Sequence, residues 1–331
     1  FRRVLFRSII IGIDTSCYTT SIAAISLEKS IILNEKIMLN VKENSNGLRQ
    51  SEGVFQHINN LGELSEKLNS LHDNYNIVGV CVSKKPRPIE NSYMPVFTVG
   101  YNFGKFMANS LNCKFYETTH QENHIEASLL NSKIANRDRF LSVHMSGGTT
   151  EILLLNRNKN SIEYNIEIVG GTKDISFGQL IDRIGVKLGY RFPAGKYIDK
   201  NAISCERKIL NGLKTSVKDG YMNLSGLENQ INKIIDSEDC KYISKLLLDA
   251  VVRNMYKSLI YISKLYNINE VVFCGGVAAS EYVRTNLSIK LRREKIYSHF
   301  TKSEYSTDNA CGCAIIGVDK YEIESFRNKW S

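Results

Sequence analysis

The chain has 331 residues, of which 43% are hydrophobic, so it is long enough for one large domain or for two lobes with separate cores. Its formal net charge is +9, which favours acidic partners such as nucleic acid and sets no fold. Its apolar runs fall far short of the roughly 20 residues that a membrane-spanning helix needs, so we expect no membrane association.

The eight cysteines are scattered, mostly inside apolar runs such as VVFCGG. This pattern predicts reduced thiols rather than a disulfide framework, and hence a cytoplasmic protein. Cys311 and Cys313 lack the C-x-x-C spacing of a zinc knuckle, so we interpret them as small-residue helix packing rather than as metal ligands. We interpret residues 1–8 as a truncated start or an appended segment and base no prediction on them.

Strand patterns open the chain. IIIGIDTS, TTSIAAISL and SIILNEKIML predict three strands, and RFLSVHMSGG, TTEILLLN and SIEYNIEIVGG repeat the pattern later. At an offset of 130 residues Ser16 falls on Ser146, and Ile22 falls on Ile152. This weak repeat predicts two similar lobes, while a chance resemblance between two hairpins is the alternative.

A proline-rich stretch, KPRPIENSYMP, precedes the motif HQENH at residues 120–124. Histidines four residues apart share one face of a helix and can reach one divalent ion at about 2.0–2.1 Å. Glu122 faces away from that pair, so the general base of an HExxH peptidase is misplaced. Surface or capping histidines are the alternative. The remaining histidines, which we interpret as structural or exposed, are His57, His72, His144 and His299.

Two glycine-rich turns follow strands, MSGGTTE at 145–151 and CGGVAAS at 274–280. The backbone N–H groups of such turns can hold a phosphate, and a helix that begins after the second turn adds its positive dipole end. Neither turn matches the Walker or the dinucleotide fingerprint, so an ordinary turn is the alternative for each.

Helical patterns dominate the second half. Apolar residues three and four apart predict an amphipathic helix from Phe177 to Leu188, and residues 241–265 predict a long core helix. The polar stretch 201–240 predicts a peripheral insertion. In STDNACGCAIIG, Asp308 precedes a helix of small residues, and capping of that helix by Thr307 or Asp308 is the alternative to a ligand role.

In order and spacing, these motifs resemble the TsaD family of tRNA threonylcarbamoyladenosine synthases over about residues 10–317. The segments that carry the resemblance are IGIDTSC, HQENHIEASLL, MSGGTTEILLL, GQLIDRIGVKLGYRFPAGKYID, VVFCGGVAAS and STDNACGCAIIG. The resemblance implies an α/β, actin-like and sugar-kinase-like ATPase fold with two ribonuclease-H-like lobes around a cleft. We expect the first lobe at 9–118, completed by a C-terminal helix at 306–327, and the second at 119–305 with a helical insertion at about 201–240.

The resemblance also implies transfer of a threonylcarbamoyl group from its ATP-derived adenylate to N6 of adenosine in tRNA, with TsaB-like and TsaE-like partner subunits. It implies one divalent ion, iron or zinc, on His120, His124 and Asp308. The implied adenylate contacts are Met145, Ser146, Gly147, Gly148, Thr149, Asp182, Gly195 and Ser280, and the implied phosphate-side residues are Ser16, Gly275 and Gly276.

Departures from the family's pattern keep a second hypothesis open, a catalytically degenerate paralogue that binds a nucleotide or a partner protein. The metal trio is retained, whereas several loops and one charge are altered. The altered positions are Tyr18 and Thr19 in place of an acidic pair, KKPRP at 84–88 in place of Gly-Pro-Gly, Thr149 for His, Gln179 for Glu, Ser280 for Asn, and PAGK at 193–196 for PGGP.

Overall fold

The computed structural model describes residues 7–16, 18–40, 48–71, 73–130, 132–135, 137–158 and 162–327. Cys17 and His72 therefore lie outside the described residues, as does most of the 1–8 segment. Among the helices described, none combines the length and the apolar character that crossing a membrane requires.

The chain divides into two compact units. Unit 1 comprises Phe1–Leu130, Asn158–Tyr164 and Asp308–Ser331, and unit 2 comprises Asn131–Arg157 and Asn165–Thr307. The elements in chain order are β1 (Arg7–Thr15), β2 (Thr19–Ser26), β3 (Ile31–Met38), α1 (Gln50–Leu68), β4 (Tyr75–Ser83), α2 (Phe97–Ser110), β5 (Lys114–Thr118), α3 (His120–Leu129), β6 (Arg139–Met145), β7 (Thr150–Asn158), β8 (Glu163–Thr172), α4 (Phe177–Lys187), α5 (Gly195–Ser204), β9 (Val217–Lys218), β10 (Tyr221–Met222), α6 (Ser225–Asn232), α7 (Cys240–Tyr266), β11 (Glu270–Cys274), α8 (Glu281–Arg293), β12 (Tyr297–Phe300) and α9 (Cys311–Arg327).

Unit 1 is built on a five-stranded sheet in the order β3-β2-β1-β4-β5. β1 pairs antiparallel with β2 and parallel with β4. The side chains of β1 and β2 are buried on both faces, because α9 packs against these strands, as do α2 and α1. Strands covered on both faces read as continuous apolar runs, which explains the unbroken IIIGI of β1.

Unit 2 contains a seven-stranded sheet in the order β12-β11-β6-β7-β8-β10-β9. Five of its strands, β8-β7-β6-β11-β12, repeat the unit 1 order β3-β2-β1-β4-β5. The antiparallel partners at the β1–β2 turn are Thr15 and Thr20, and those at the β6–β7 turn are Met145 and Thr150, in the same register and 130 residues later. The two lobes that the internal repeat predicted are therefore confirmed.

The turns that follow β1 and β6 also share their hydrogen bonds. The backbone N–H of Ser16 donates to the carbonyl of Thr19 over 3.2 Å, and that of Ser146 donates to the carbonyl of Thr149 over 2.9 Å. The same four-residue turn thus carries the candidate phosphate-side Ser16 in unit 1 and the candidate adenylate contacts in unit 2.

The helices predicted in the second half are confirmed. α4 begins at Phe177 and buries its apolar face, with Gln179 exposed and Asp182 half-buried. α7 covers the predicted long core helix. The 201–240 stretch differs from a purely helical insertion, because it holds β9 and β10 as well as α6, and β10 pairs parallel with β8.

Helix α3 falls in unit 1, whereas the expected boundary at 118 assigned it to the second lobe. The reason is its packing on α9. The side-chain amide of Asn123 donates from Nδ2 to the carbonyl of Asn309 over 2.6 Å and accepts at Oδ1 from the Cys313 N–H over 2.8 Å. Both histidines of the HQENH motif thus lie in the same unit as Asp308.

Candidate functional site

The start of α3 fixes the two histidines of the candidate metal site. Thr119 caps the helix in a capping box, because its N–H donates to Glu122 Oε2 over 3.0 Å while its hydroxyl accepts from the Glu122 N–H over 3.3 Å. Glu122 is buried and committed to this cap. The expectation that Glu122 faces away from the histidine pair is confirmed.

The altered KKPRP segment supports the same helix turn. The backbone N–H of His120 donates to the carbonyl of Lys85, and that of Gln121 donates to the carbonyl of Pro86, each over 3.0 Å. The first N–H groups of a helix lack partners inside the helix. The two loop carbonyls supply these partners, so a change in the loop conformation would leave both N–H groups without them. A loop that departs from the pattern that the resemblance implies therefore still anchors the His120 backbone.

The three candidate ligand atoms lie close together. His120 Nε2 and His124 Nε2 are 3.1 Å apart, and His124 Nε2 lies 3.1 Å from Asp308 Oδ1. His120 Nε2 lies 3.8 Å from the same oxygen. Two atoms that are each about 2.0–2.1 Å from one ion can be at most about 4.2 Å apart, so one nitrogen from each imidazole and one carboxylate oxygen fit a single divalent cation. These residues form a cluster of possible metal ligands.

Two further side chains contact this cluster from behind. Asp14, fully buried at the end of β1, has both carboxylate oxygens 3.0 Å from His120 Nδ1. Ser83 donates its hydroxyl to Asp14, and Ser16 donates its hydroxyl to Asp308 Oδ2 over 3.0 Å. The sequence interpretation missed Asp14 and Ser83 as site residues. The available signal was a carboxylate inside an otherwise apolar, buried strand.

The charges of the cluster shift its pKa values. Burial by itself lowers the pKa of His120, but the charge and hydrogen bond of Asp14 together with the charge of Asp308 outweigh it and raise that pKa to about 9. Burial would raise the pKa of Asp308, yet the hydrogen bond from His124 and the charges of both histidines hold it well below its usual range. A metal ion would therefore displace a proton from this cluster when it binds.

The side chain of Asp308 contacts the cluster of candidate metal ligands, whereas Asn309 bonds the first turn of α9. The side-chain oxygen of Asn309 accepts from the Cys311 N–H over 2.9 Å at the start of α9, while the carboxylate of Asp308 faces His124 and Ser16. Cys311 and Cys313 are fully buried, in agreement with their interpretation as packing residues.

In unit 2, the 145–149 turn is tied to the start of α4. Met145 is fully buried at the end of β6. The hydroxyl of Ser146 accepts from the Thr149 N–H over 3.1 Å, and its carbonyl accepts from the N–H of Gly178 over 3.2 Å. A Cβ at Gly147 or Gly148 would meet no atom within 4 Å, so there is open space on the side of each residue where a side chain would point.

Helix α4 also carries Asp182 and the altered position Gln179. Asp182 Oδ1 accepts from the Ala194 N–H over 2.7 Å, immediately before Gly195 opens α5, and burial raises the pKa of Asp182. Gln179 Oε1 accepts from the Ser176 N–H over 3.1 Å and completes a capping box. The amide therefore has a helix-capping role at a position where the resemblance implies a glutamate.

The N-terminus of α8, which the sequence predicted as an anion-binding site, already has a carboxylate partner inside unit 2. The hydroxyl of Ser280 donates to Asp199, whose oxygens also accept from the N–H groups of Glu281 and Tyr282 over 2.9 and 3.1 Å. Sequence reasoning missed Asp199, which lies some 80 residues away. Its only signal was an acidic side chain on the polar face of the short α5.

The two glycines before α8 differ. Gly275 has φ +95°, and a Cβ there would lie 2.3 Å from the carbonyl oxygen of Met145, so the close approach of two strand ends requires glycine. A Cβ at Gly276 would meet nothing within 4 Å. The ordinary-turn alternative therefore explains Gly275, and Gly276 retains an open backbone.

The other described histidines have structural partners. His57 is fully buried, with Nδ1 2.8 Å from the Thr20 hydroxyl. His144 Nδ1 lies 3.5 Å from the Cys274 thiol, and His299 pairs with Glu270 over 2.8 Å. Their interpretation as structural or exposed residues agrees with these contacts.

Comparison with solved structures gives the class of fold. HypF from T. kodakarensis superposes with a TM-score of 0.61 at 11% identity, covering 97% of this chain and 48% of that one, so this chain spans about half the length of HypF. A Listeria monocytogenes protein proposed to be an N-acetylmannosamine kinase superposes with a TM-score of 0.51 at 13% identity, covering 96% and 99% of the two chains. The chain has the actin-like, sugar-kinase-like fold that the family resemblance implied.

Sequence comparison gives the family. The model described as "TsaD: tRNA N6-adenosine threonylcarbamoyltransferase" matches residues 73–314, and the chain belongs to that family. The tRNA N6-adenosine threonylcarbamoyltransferase of Sulfurihydrogenibium sp. (strain YO3AOP1) is 29% identical over 326 residues, which cover 95% of this chain and 91% of the relative. Its general class of function is therefore tRNA modification.

Proposed function

We propose that this chain catalyses metal-dependent transfer of a threonylcarbamoyl group from its ATP-derived adenylate to N6 of adenosine in tRNA. The observation that carries the proposal is the cluster of His120, His124 and Asp308, with ligand atoms 3.1 to 3.8 Å apart, in a member of this family. The net charge of +9 supports a polyanionic acceptor such as tRNA.

Each part of the cluster has a distinct role in this proposal. His120 and His124 offer one imidazole nitrogen each and Asp308 one carboxylate oxygen, a donor set that suits iron or zinc. A divalent cation bound there supplies a Lewis acid. Ser16 holds the second oxygen of Asp308 by its hydroxyl, and Lys36 donates to the Asp308 carbonyl over 3.2 Å. The Ser16 contact restricts where the carboxylate can point, and the Lys36 contact holds the backbone of the same residue.

For unit 2 we propose the nucleotide contacts. The open backbone at Gly147, Gly148 and Gly276 supports close approach of a ligand, because no side chain fills the space above these glycines. Asp182 accepts from the Ala194 N–H where α4 and α5 adjoin, one residue before Gly195, and a half-buried carboxylate there suits a ribose hydroxyl. Holding the adenylate in one orientation is chiefly a proximity contribution to the rate.

We further propose that TsaB-like and TsaE-like subunits assist the chain and that it works in the cytoplasm. The seven cysteines among the described residues are free thiols. Free, mostly buried thiols suit a reducing compartment. The resemblance to the family supports the partner subunits.

A second candidate is the degenerate paralogue that binds a nucleotide or a partner without transfer. The observation that favours it is the α8 N-terminus, where Asp199 already engages Ser280 and two backbone N–H groups that an anionic ligand would otherwise use. A carboxylate at that place opposes a second anion by charge repulsion.

The test is direct measurement of the transfer. The protein, its genome's partner subunits, ATP, threonine, bicarbonate and unmodified tRNA are incubated, and the tRNA nucleosides are then analysed by mass spectrometry. We expect threonylcarbamoyladenosine with the unaltered chain and none with Asp308→Ala. His124→Ala is compared with His299→Ala, a matched loss of one imidazole from a pair in unit 2.

The outcomes separate the two candidates. Product that disappears with His124→Ala and persists with His299→Ala supports the transferase. If the unaltered chain gives no product in a mixture where another family member is active, the transferase proposal is wrong and the binding paralogue stands. Product that persists after Asp308→Ala would refute the metal site.

A further inference from the structure

The carboxylate of Asp14 has no ligand role in the site described above, although it is the innermost charge of the cluster. It lies at the end of the central strand β1 with none of its surface exposed. Burying a carboxylate is costly unless it is paired and hydrogen-bonded. Both of its oxygens lie 3.0 Å from Nδ1 of His120, the ring nitrogen on the side opposite the metal cluster.

A second buried group holds that carboxylate in place. Ser83, fully buried at the end of β4, donates its hydroxyl to Asp14 Oδ1. β4 is the parallel neighbour of β1, so the two side chains emerge at the same edge of the sheet. The chain of contacts runs from Ser83 to Asp14 to His120, and it connects the sheet to one of the proposed ligands.

The direction of each hydrogen bond from Ser83 to Asp14 to His120 decides which nitrogen of His120 can bind a metal ion. An ionised carboxylate only accepts, so His120 must carry its hydrogen on Nδ1 when it faces Asp14. In the neutral imidazole, which is the form that binds a metal ion, Nε2 then has the lone pair, and it is the nitrogen that lies 3.1 Å from His124 Nε2 and 3.8 Å from Asp308 Oδ1. The aromatic ring of Phe97, with its centroid 5.8 Å from that of the imidazole, packs beside it.

We infer that Asp14, held by Ser83, is a positioning residue that fixes the ring orientation and tautomer of His120 for metal binding. The inference rests on the proposed function, because it presumes that His120 is a ligand. A carboxylate that accepts from the other ring N–H of a ligating histidine makes the imidazole a stronger electron-pair donor to the metal and restricts rotation of the ring. Loss of such a partner typically weakens metal binding about 10- to 100-fold.

The test uses Co²⁺ as the probe and measures its dissociation constant by chelator competition, with the visible absorption of the bound ion as a second readout. Asp14→Asn keeps the size of the side chain and removes its charge, and we expect about 10- to 100-fold weaker Co²⁺ binding. Ser83→Ala should give a smaller loss in the same direction. Both variants should shift the Co²⁺ absorption bands, because the geometry of one nitrogen ligand changes.

The matched control is Ser21→Ala. Ser21 is as buried as Ser83, but its hydroxyl donates to the backbone carbonyl of Asp14 over 3.2 Å rather than to its carboxylate. We expect its Co²⁺ affinity and spectrum to match those of the unaltered chain. Thermal unfolding of the metal-free proteins identifies any variant that fails to fold. If Asp14→Asn fails to fold, the inference is tested with Ser83→Ala instead.

A double-variant comparison separates positioning from simple attraction of a cation by a nearby charge. In a His120→Ala background, Asp14→Asn should change Co²⁺ affinity less than twofold. An equal loss in both backgrounds would overturn the inference, as would an unchanged affinity and spectrum in Asp14→Asn. If His120→Ala and His124→Ala themselves leave Co²⁺ affinity unchanged, the proposed metal site fails, and not only the role of Asp14.

Discussion

Replacing Gly312 by alanine tests whether the packing of α9 on α3 assembles the candidate metal site. A Cβ at Gly312 would lie 1.9 Å from the carbonyl oxygen of Asn123, 2.7 Å from its carbonyl carbon and 2.8 Å from its Cα. Cβ contacts below 3.0 Å essentially never occur, and all three atoms belong to the backbone. They cannot rotate aside, so α9 must move away from α3.

The magnitude follows from what that movement breaks. The two hydrogen bonds of the Asn123 side chain to α9 are 2.6 and 2.8 Å long, and a displacement of about 1 Å removes both. Each is worth about 0.5–1.5 kcal/mol net. Overpacking adds about 1–3 kcal/mol. Alanine regains about 0.8–1 kcal/mol of helix propensity. The variant should therefore lose about 1–5 kcal/mol of its free energy of unfolding.

Urea unfolding and Co²⁺ competition measure the two consequences. Asp308 lies four residues before Gly312, so a movement of α9 should also displace Asp308. Co²⁺ binding should then weaken at least about tenfold, as is typical when a residue that orients a metal ligand is lost. Gly226→Ala in α6 is the matched control, because a Cβ there meets nothing within 4 Å. It should leave stability unchanged or raise it by up to about 1 kcal/mol. A Gly312→Ala protein with the stability and metal affinity of the unaltered chain would refute the reasoning.

Three further predictions follow from polar groups with defined partners or burial. Asn123→Ala leaves the Asn309 carbonyl and the Cys313 N–H buried without their partner and should cost about 2–5 kcal/mol in urea unfolding. Asp199→Ala removes the carboxylate that caps α8 and should cost about 1–2 kcal/mol in the same assay. Burial lowers the pKa of His57, so below about pH 6.5 the unfolded chain binds a proton that the folded chain does not. Stability should fall with pH there, by at most about 1.4 kcal/mol per unit, and His57→Asn should lose less between pH 7 and 5.

Each of these predictions has a result that contradicts it. An Asn123→Ala protein within 0.5 kcal/mol of the parent, on the order of ordinary surface substitutions, would mean that other groups or water satisfy α9. Asp199→Ala without loss would mean that solvent caps α8 equally well. A His57→Asn protein with the same slope of stability against pH as the parent would assign the acid sensitivity to other groups.

Local periodicity allowed much of the fold to be predicted. The alternation and length of the apolar runs gave β1, β2 and β6, and the three-and-four spacing gave α4, because these signals depend only on residues within a few positions of each other. The internal repeat went further, since it predicted two similar lobes, and the same strand order is found in both units. The HQENH spacing placed two imidazoles on one helix face for the same local reason.

The remaining features depend on segments far apart in the chain. Asp14 is 106 residues from His120, and Ser83 reaches Asp14 only because β1 and β4 are parallel neighbours. Asp199 caps a helix that begins 82 residues later, which no local pattern indicates. The assignment of α3 to unit 1 depends on the bonds of Asn123 to α9 across 186 and 190 residues. The sequence by itself determined the strands and helices whose periodicity is local, such as β1, β2, β6, α4 and α7, and it indicated which segments carry the candidate ligands. Only the tertiary structure decided which buried carboxylate holds which donor, because that pairing is set by the packing of distant elements and not by the neighbours of either residue.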